Sequence, residues 1–420
     1  MSEPLSPRER AFAAWNEGRY PDVVAAASAW LGRQPGSGEA YQIAGQALVR
    51  MGNTVEAAKS FENAEALGGG PVCAFNAGNA WQAAGDREMA AKAWLRAADG
   101  HAVLGQRALS LGRSLVGAGE PLAAARVLSS LIRRDPEAHG AMQLLVSLAA
   151  SERAATSAPV RLDAPGTGPA PSSWSFVVCS IDEAGFAAFS AMIAARFAGV
   201  EHEIVRIADA ASLCEGYERG LARSSGEAVV FCHDDIDLLA PDAAARLAIH
   251  LTHCDVVGIA GATRVTGPAV FWAGHPWLHG WISYRTPGDA DYEVTAMSID
   301  GPRVDGIKAL DGAFIACRRD AAVATGFDAA VFDGFHLYDL DFSYRAHLAG
   351  FRLAVACDLG LVHASKGDFG RDWSRYAERF RAKFPSLTGP RGSTHYYAAR
   401  VPAAGDVLAF QRRLAEFAAV

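Results

Sequence analysis

A short acidic run, Asp234, Asp235 and Asp237, has the clearest chemical potential in the 420-residue chain, and it directly follows His233. Three carboxylates within four residues repel one another unless a positive charge lies near them. A divalent cation would relieve this repulsion, because hard cations prefer oxygen ligands. The run therefore indicates a metal site, and a solvated acidic turn before the helix after Pro241 is an equally good interpretation.

A second pair of carboxylates, Asp339 and Asp341, lies further along the chain. The pattern predicts a helix over 342–349 that ends at Gly350, with Asp341 as its N-cap and Asp339 in the loop before it. Because one residue separates them, their side chains should point to different sides of the chain. We therefore expect the two carboxylates to have different roles. The alternative is that both only cap the helix.

The elements that position these carboxylates are predicted to be alternating strands and helices. From Trp174 onward, the spacing predicts a strand, helix, strand, helix and strand, at 175–181, 185–197, 203–207, 211–224 and 228–232. This alternation is typical of right-handed crossovers and a mainly parallel sheet, in which ligands bind beyond the carboxyl ends of the strands. The acidic run follows the third strand and so lies at such an end.

The first 150 residues have a different periodicity, because glycines recur every 33 or 34 residues. Two series share this spacing, one at positions 18, 52, 85 and 119 and one at positions 45, 78 and 112. The pattern resembles the tetratricopeptide repeat, with about four units over residues 4–136 and a closing helix over 137–151. This resemblance implies an α-solenoid with a groove for a protein partner, and an irregular helical bundle is the alternative.

A change of composition divides the chain after the repeats, since four prolines fall between positions 159 and 171. A segment of this kind does not hold a helix. We expect a helical-repeat domain at 4–151, a linker at 152–173, a sheet domain at 174–390 and a helical tail at 391–420.

The sheet domain carries its polar residues in motifs of a particular order. They are His233-Asp234-Asp235, Asp311-Gly312-Ala313-Phe314-Ile315, Gly334-Phe335-His336-Leu337-Tyr338-Asp339-Leu340-Asp341, and a late histidine, His363. In combination these motifs resemble the family 2-type glycosyltransferases of GT-A fold, over about residues 174–385. They are most similar to the branch named after a streptomycin-biosynthesis glycosyltransferase-like protein. The resemblance implies an α + α/β chain, with a solenoid followed by a GT-A type domain that has a mainly parallel mixed sheet.

The resemblance also implies chemical roles for several of these residues. Asp235, with Asp234 beside it, would hold the diphosphate of the donor through Mn²⁺ or Mg²⁺, and His363 would complete the metal shell. Asp339 corresponds to the general base of the family, and Tyr338 stands where the family has a glutamate.

Further residues are expected to contact the two substrates. Those assigned to the nucleotide-sugar donor are Ser180, Asp209, Asp234 and Asp235. Those assigned to the transferred sugar and the acceptor glycan or protein are Asp311, Gly312, Trp281 and His336. Trp281 belongs to an aromatic stretch over 271–284, for which core packing is an equally good interpretation.

These residue types suit direct displacement at a sugar carbon. A carboxylate takes the proton of the attacking hydroxyl, and a divalent cation stabilises the departing diphosphate. One base and one metal, without a carboxylate nucleophile, predict inversion. The alternatives are a repeat scaffold with an inactive transferase-like domain, against which the presence of Asp235, Asp339 and His363 argues, and a metal-dependent hydrolase or nucleotidyltransferase.

Composition argues against several other classes. A net charge of −7 is not that of a nucleic-acid binder with a basic surface. No apolar run reaches the roughly 18–20 residues of a spanning helix, and the N-terminus has no apolar region typical of a signal peptide. Seven scattered cysteines indicate reduced thiols and a cytoplasmic location. The basic residues over 371–383 lie along one predicted helix. We expect this helix to pack against the sheet domain, and binding to an anionic membrane is the alternative.

Overall fold

The computed structural model describes residues 4–100, 104–105, 107–151, 164–285, 288, 290–367, 369–387, 389 and 395–419. The chain divides into two compact units, with the division between Leu144 and Leu145. Most of the expected linker, residues 152–163, lies outside the described residues. The domain bounds expected from the sequence therefore stay a prediction.

The first unit is built from consecutive helices. These are α1 (Pro7–Asn16), α2 (Tyr20–Arg33), α3 (Gly38–Arg50), α4 (Thr54–Ala64), α5 (Gly70–Ala83), α6 (Arg87–Asp99), α7 (Arg107–Gly117) and α8 (Pro121–Arg134), and α9 (His139–Ser151) follows them. A π-helical turn, Glu65–Gly69, joins α4 to α5. Successive helices pack in pairs from α1–α2 to α7–α8, which confirms the expected helical-repeat fold.

The two glycine series have separate physical roles in these hairpins. Gly52 lies between α3 and α4 with φ of +79°, a conformation in which any Cβ is strained. Gly45 packs against Phe61, and a Cβ on it would lie 2.9 Å from the ring carbon Cε1. The first series therefore turns the chain within a hairpin, and the second lets the paired helices approach closely.

The second unit contains two sheets, whose strands are short. They are β1 (Ser173–Cys179), β2 (Glu201–Ile207), β3 (Ala228–Cys232), β4 (Ile236–Leu238), β5 (Val256–Gly258), β6 (Ala260–Ala262), β7 (Leu278–Tyr284), β8 (Tyr292–Ala296), β9 (Arg303–Ile307), β10 (Ala309–Leu310), β11 (Phe314–Arg318), β12 (Leu353–Ala356), β13 (Leu361–His363) and β14 (Tyr397–Val401). The helices are α10 (Glu183–Arg196), α11 (Leu213–Arg223), α12 (Ala243–His253), α13 (Arg319–Thr325), α14 (Tyr338–Leu348), α15 (Arg371–Lys383) and α16 (Ala404–Ala418).

The larger sheet has the strand order β2-β1-β3-β11-β5-β12-β9. Strands β2, β1 and β3 are parallel, whereas β11 runs antiparallel to both β3 and β5. The result is the expected mixed α/β sheet. Its first and third strands in sequence are buried almost throughout, as parallel strands covered on both faces are.

The smaller sheet has the order β10-β6-β7-β13-β4, and β8 extends it by pairing with β7 and β14. Strand β14 lies within the segment expected to be a helical tail, so only α16 of that segment is helical as expected. Tyr376, Ala377 and Phe380 are the buried residues of the basic helix α15, which confirms that this helix packs against its own unit. Among the described residues, no helix combines the length and the apolar character needed to cross a membrane.

Candidate functional site

The acidic run lies at the carboxyl end of β3, as the sequence predicts. β4 begins directly afterwards and pairs antiparallel with β13, in a register that sets Ile236 opposite His363. The backbone N–H of Ala364 donates to the Asp235 carbonyl at 2.9 Å. This pairing explains how a histidine far along the chain comes to lie beside Asp235.

Three side chains converge at this point with ligand atoms suited to a metal: His233, Asp235 and His363. Nε2 of His363 lies 3.1 Å from Oδ1 of Asp235 and 3.2 Å from Nδ1 of His233, and all three ligand atoms lie within 4.8 Å of one another. The side chains of His233 and Asp235 are 30% and 31% exposed, so the group is open to solvent. Two imidazoles and a carboxylate form a donor set that fits a divalent cation.

Charge and burial act differently on the members of this group. Burial disfavours ionisation of Asp235, but its hydrogen bond to His363, the charge of that histidine and the Ser365 hydroxyl together hold its pKa well below the ordinary value. Burial, together with the nearby charge of His363, lowers the pKa of His233. The carboxylate is therefore ionised and His233 is neutral near pH 7, which are the forms that bind a metal.

Asp339 lies in the first turn of α14, which begins at Tyr338 and not at the expected residue 342. Its neighbour across the site is Gly312, where a Cβ would lie only 2.8 Å from Cβ of Asp339. Burial and the charge of Asp311 raise the pKa of Asp339 to about 7, against the opposing backbone N–H groups of Leu340 and Gly312. A carboxyl with this pKa suits a general base at neutral pH.

Tyr338 lies between Asp339, its neighbour in sequence, and the three potential metal ligands. Its Oη donates to the Gly312 carbonyl at 3.0 Å and lies 2.9 Å from Nε2 of His233. The preceding Leu337 has φ of +60°, a left-handed conformation that costs roughly 1–2 kcal/mol in a non-glycine residue. This strain lies where the chain enters α14 and presents Tyr338 and Asp339.

The expectation that Asp341 caps this helix is wrong. Because α14 begins at Tyr338, Asp341 falls inside the first turn, and its side chain is 1% exposed. It forms ion pairs with Arg345 at 2.8 Å and with Lys383 of α15 at 2.6 Å. The carboxylate is therefore part of the packing between α14 and α15.

The residues expected to contact the donor lie at one edge of the larger sheet, because β1, β2 and β3 are parallel. Ser180 follows β1 and is buried, and Asp209 follows β2 and is exposed beside Arg219, at 2.7 Å. Asp234 follows β3, outside the group of three potential metal ligands, and its charge interacts with that of Arg206. Arg206, whose Nε donates to the Ser180 carbonyl at 3.0 Å, is a further polar residue at this edge.

Two residues assigned to the acceptor have different environments. His336 lies half-buried in the loop before α14, with its ring 6.2 Å from that of Tyr376. Trp281 is only 3% exposed on β7, and its indole N–H donates to the Ser298 carbonyl at 3.1 Å. The assignment of Trp281 to the acceptor site is therefore corrected to core packing, since a buried ring offers no face to a sugar.

Sequence reasoning left His233, Tyr338 and Arg206 without a role in the site. His233 carried a signal, because it lies between a buried strand and an acidic run, as metal ligands at sheet edges do. Tyr338 and Arg206 carried none, since their contacts depend on strands and loops that are distant in sequence.

Comparison with known families bears on these features directly. Residues 175–381 match the model of the "Glycosyltransferase like family". The C-terminal half of the chain is glycosyltransferase-like. The match covers both carboxylate motifs and His363, and the narrower branch suggested by the motifs stays a prediction.

Similarity to individual proteins is weaker. The chain is 26% identical over 184 residues to "ATP synthase subunits region ORF 6" of Fuscovulum blasticum, which covers 40% of this chain and 66%, just under two thirds, of that relative. Among solved structures, the protein MamA aligns at a TM-score of 0.30 with 18% identity, over 34% of this chain and 78% of MamA. The mannosyltransferase PcManGT from Pyrobaculum calidifontis, solved with GDP-Man and Mn²⁺, aligns at 0.32 with 14% identity, over 70% and 85%.

Proposed function

We propose that this protein is a metal-dependent, inverting glycosyltransferase that moves a sugar from a nucleotide-sugar donor to an acceptor hydroxyl. One observation carries the proposal: a carboxyl with a pKa of about 7, Asp339, lies beside Gly312 and is connected through Tyr338 to three potential metal ligands. The glycosyltransferase-like family match over the same residues supports it.

Asp235 and His363 would hold Mn²⁺ or Mg²⁺ on the donor side of the site. When bound, the cation stabilises the negative charge that grows on the departing diphosphate. Ser180, Asp209 and Asp234, at the carboxyl ends of the parallel strands, would orient the nucleotide, since this edge is where ligands bind in such sheets.

Asp339 would act on the acceptor side. Its carboxylate accepts the proton of the acceptor hydroxyl while that oxygen bonds to the anomeric carbon and the bond from this carbon to the diphosphate breaks. The nucleoside diphosphate leaves from the opposite face, so the configuration inverts. Burial is the main cause of the raised pKa of Asp339, and the charge of Asp311 is the second. His336, in the loop before α14, would contact the acceptor.

The helical-repeat unit would recruit an acceptor or partner protein. A cavity of about 390 Å³ in this unit is lined by side chains from α1, α3, α4, α5 and α7. Its polar residues include Gln46, Asn76, Asn79, Arg50 and Arg107. Amide side chains of this kind suit hydrogen bonds to an extended peptide backbone, and the two arginines suit acidic residues.

A reducing compartment suits this protein, since all seven cysteines are free thiols. We therefore place the reaction in the cytoplasm.

A panel of nucleotide sugars tests the proposal. The full chain is incubated with each donor and Mn²⁺, and the release of nucleoside diphosphate and the fate of the sugar are measured. We expect release from one or a few donors, dependent on the metal and lost in Asp339→Asn. Release of pyrophosphate or a nucleoside monophosphate would instead indicate a nucleotidyltransferase or hydrolase, and no release from any donor would contradict the proposal.

A further inference from the structure

We infer that His233 is a third protein ligand of the metal, through Nδ1, that Tyr338 orients it, and that the site consequently prefers a first-row transition ion over Mg²⁺. The inference deepens the metal site of the proposed function and rests on it, but it concerns binding of the ion alone and not transfer of a sugar.

The hydrogen bonds of Tyr338 determine which nitrogen of His233 carries the hydrogen. A tyrosine hydroxyl has one hydrogen, and in Tyr338 the carbonyl of buried Gly312 accepts it at 3.0 Å. With the hydroxyl hydrogen in this bond, the same oxygen accepts a hydrogen bond from Nε2 of His233, which lies 2.9 Å away. A neutral imidazole that donates from Nε2 has its lone pair on Nδ1.

That lone pair points into the group of potential ligands. Nδ1 of His233 lies 3.2 Å from Nε2 of His363 and 3.9 Å from Oδ1 of Asp235. Two imidazole nitrogens and one carboxylate oxygen thus face a common point from β13 and from the segment between β3 and β4. A partner that holds the far nitrogen of a ligating histidine is the usual device for orienting the ring.

The composition of this group determines which ions suit it. Mg²⁺ takes oxygen ligands in near-ideal octahedral geometry, whereas imidazole nitrogen suits later first-row ions such as Fe²⁺, Ni²⁺ and Zn²⁺. Mn²⁺ accepts both oxygen and nitrogen ligands and is the ion of this row that electron paramagnetic resonance detects most directly. Among the described residues, Asp235 is the one carboxylate in this group, and Asp234 lies outside it. The group therefore resembles a two-histidine, one-carboxylate triad more than an oxygen site.

Binding of Mn²⁺ alone to the full chain tests this, with free Mn²⁺ measured by electron paramagnetic resonance and Mg²⁺ as competitor. We expect the chain to bind Mn²⁺ at least about 10-fold more tightly than Mg²⁺. Tyr338→Phe should weaken Mn²⁺ binding about 10–100-fold, the range seen when an orienting partner of a ligand is lost. His233→Ala, which removes a ligand, should weaken it by at least as much. His233→Asp should narrow the preference for Mn²⁺ over Mg²⁺, since it replaces a nitrogen ligand by oxygen. His347→Asn, which changes a half-buried histidine near the other end of α14, is the control and should bind as the unaltered chain does.

Pulsed electron paramagnetic resonance counts the ligating nitrogens without a variant. We expect ¹⁴N coupling from two imidazoles in the unaltered chain and from one in His233→Ala. One coupled nitrogen in the unaltered chain, or Mn²⁺ binding unchanged in a folded His233→Ala chain, would overturn the assignment of His233. Unchanged binding in Tyr338→Phe alone would overturn the orienting role. Both of these results would leave the proposed transfer of a sugar untouched, because that proposal is tested separately by the release of nucleoside diphosphate. Conversely, if no donor released nucleoside diphosphate, the assignment of the metal ligands would still stand.

Discussion

Asp339 is the residue on which the proposed chemistry depends most, and Asn is the substitution that isolates its proton-accepting role. Asn keeps the shape of the side chain but does not take a proton near pH 7. General-base catalysis contributes about 10²–10⁴-fold in rate, so turnover should fall by that order. The dissociation constant of the donor should change only a few-fold, because the metal ligands belong to other elements.

Asp372→Asn is a matched control for this change, since Asp372 is an exposed carboxylate of α15. It should leave turnover and donor affinity as they are. A rate loss in Asp339→Asn that is explained by weaker donor binding would show that the base has been assigned to the wrong residue.

The raised pKa of Asp339 predicts a second effect, on stability. Because its pKa in the folded protein, about 7, lies above its ordinary value of 3.8, the folded state favours the neutral carboxyl. The stability contribution of this group is therefore present at low pH and is lost as the pH rises through about 7. Asp339→Asn should raise the free energy of unfolding at pH 8 by on the order of 1–3 kcal/mol, less than the full shift implies because the side chain is only partly buried.

Denaturant unfolding at pH 5 and at pH 8, with a chelator present, measures this effect. At pH 5 the stabilisation by the variant should be clearly smaller than at pH 8, because most of the loss of stability occurs between pH 5 and about pH 7, where the unfolded carboxyl is ionised and the folded one is still neutral. A stabilisation of equal size at both pH values would contradict a raised pKa. Turnover of the unaltered chain should rise with pH through about 7, as the base ionises.

At the scale of elements, Asp341 holds α14 against α15. Its buried carboxylate pairs with Arg345 of its own helix and with Lys383 of the other. Asp341→Asn removes the charge between these two cations and should lower the free energy of unfolding by about 2–3 kcal/mol. This is less than the loss expected for a fully buried pair, because Arg345 and Lys383 are 24% and 21% exposed.

Asp333→Asn is the control, because this exposed carboxylate of the loop before α14 also contacts α15, through Arg379 and Tyr376. Because exposed ion pairs contribute about 1 kcal/mol or less, this variant should lose much less stability in urea. Equal losses of unfolding free energy in the two variants would mean that the buried ion pairs of Asp341 stabilise the protein no more than an exposed pair does.

At the scale of the whole molecule, the two compact units predict that the second folds without the first. A shortened chain should begin at Leu145, where the second unit begins, and not at β1. It then keeps Gly166 and Gly168, which donate hydrogen bonds to Thr252 at 2.6 and 3.0 Å. We expect this chain to unfold cooperatively and to release nucleoside diphosphate slowly from the donor. It should modify its natural acceptor far more slowly than the full chain does, whereas equal rates would contradict recruitment by the repeats.

Local pattern was sufficient for the parts of this protein that local physics governs. The glycine period of 33 or 34 residues predicted the hairpins, because each glycine acts within one repeat through its φ or its missing Cβ. The first three strands and the position of Asp235 at a strand end followed from apolar runs and the residues next to them. The order of the motifs along the chain was enough to indicate Asp339, His363 and a glycosyltransferase-like domain.

Tertiary structure alone decided the contacts that cross long stretches of chain. His363 reaches Asp235 through the register of β4 and β13, and Tyr338 reaches His233 across the site. The burial of Trp281 and the pairing of Asp341 with Lys383 likewise depend on strands and helices far away in sequence. Sequence periodicity reports the environment of a residue along its own element, whereas the partners of a side chain across a sheet or between helices are determined only when those elements pack.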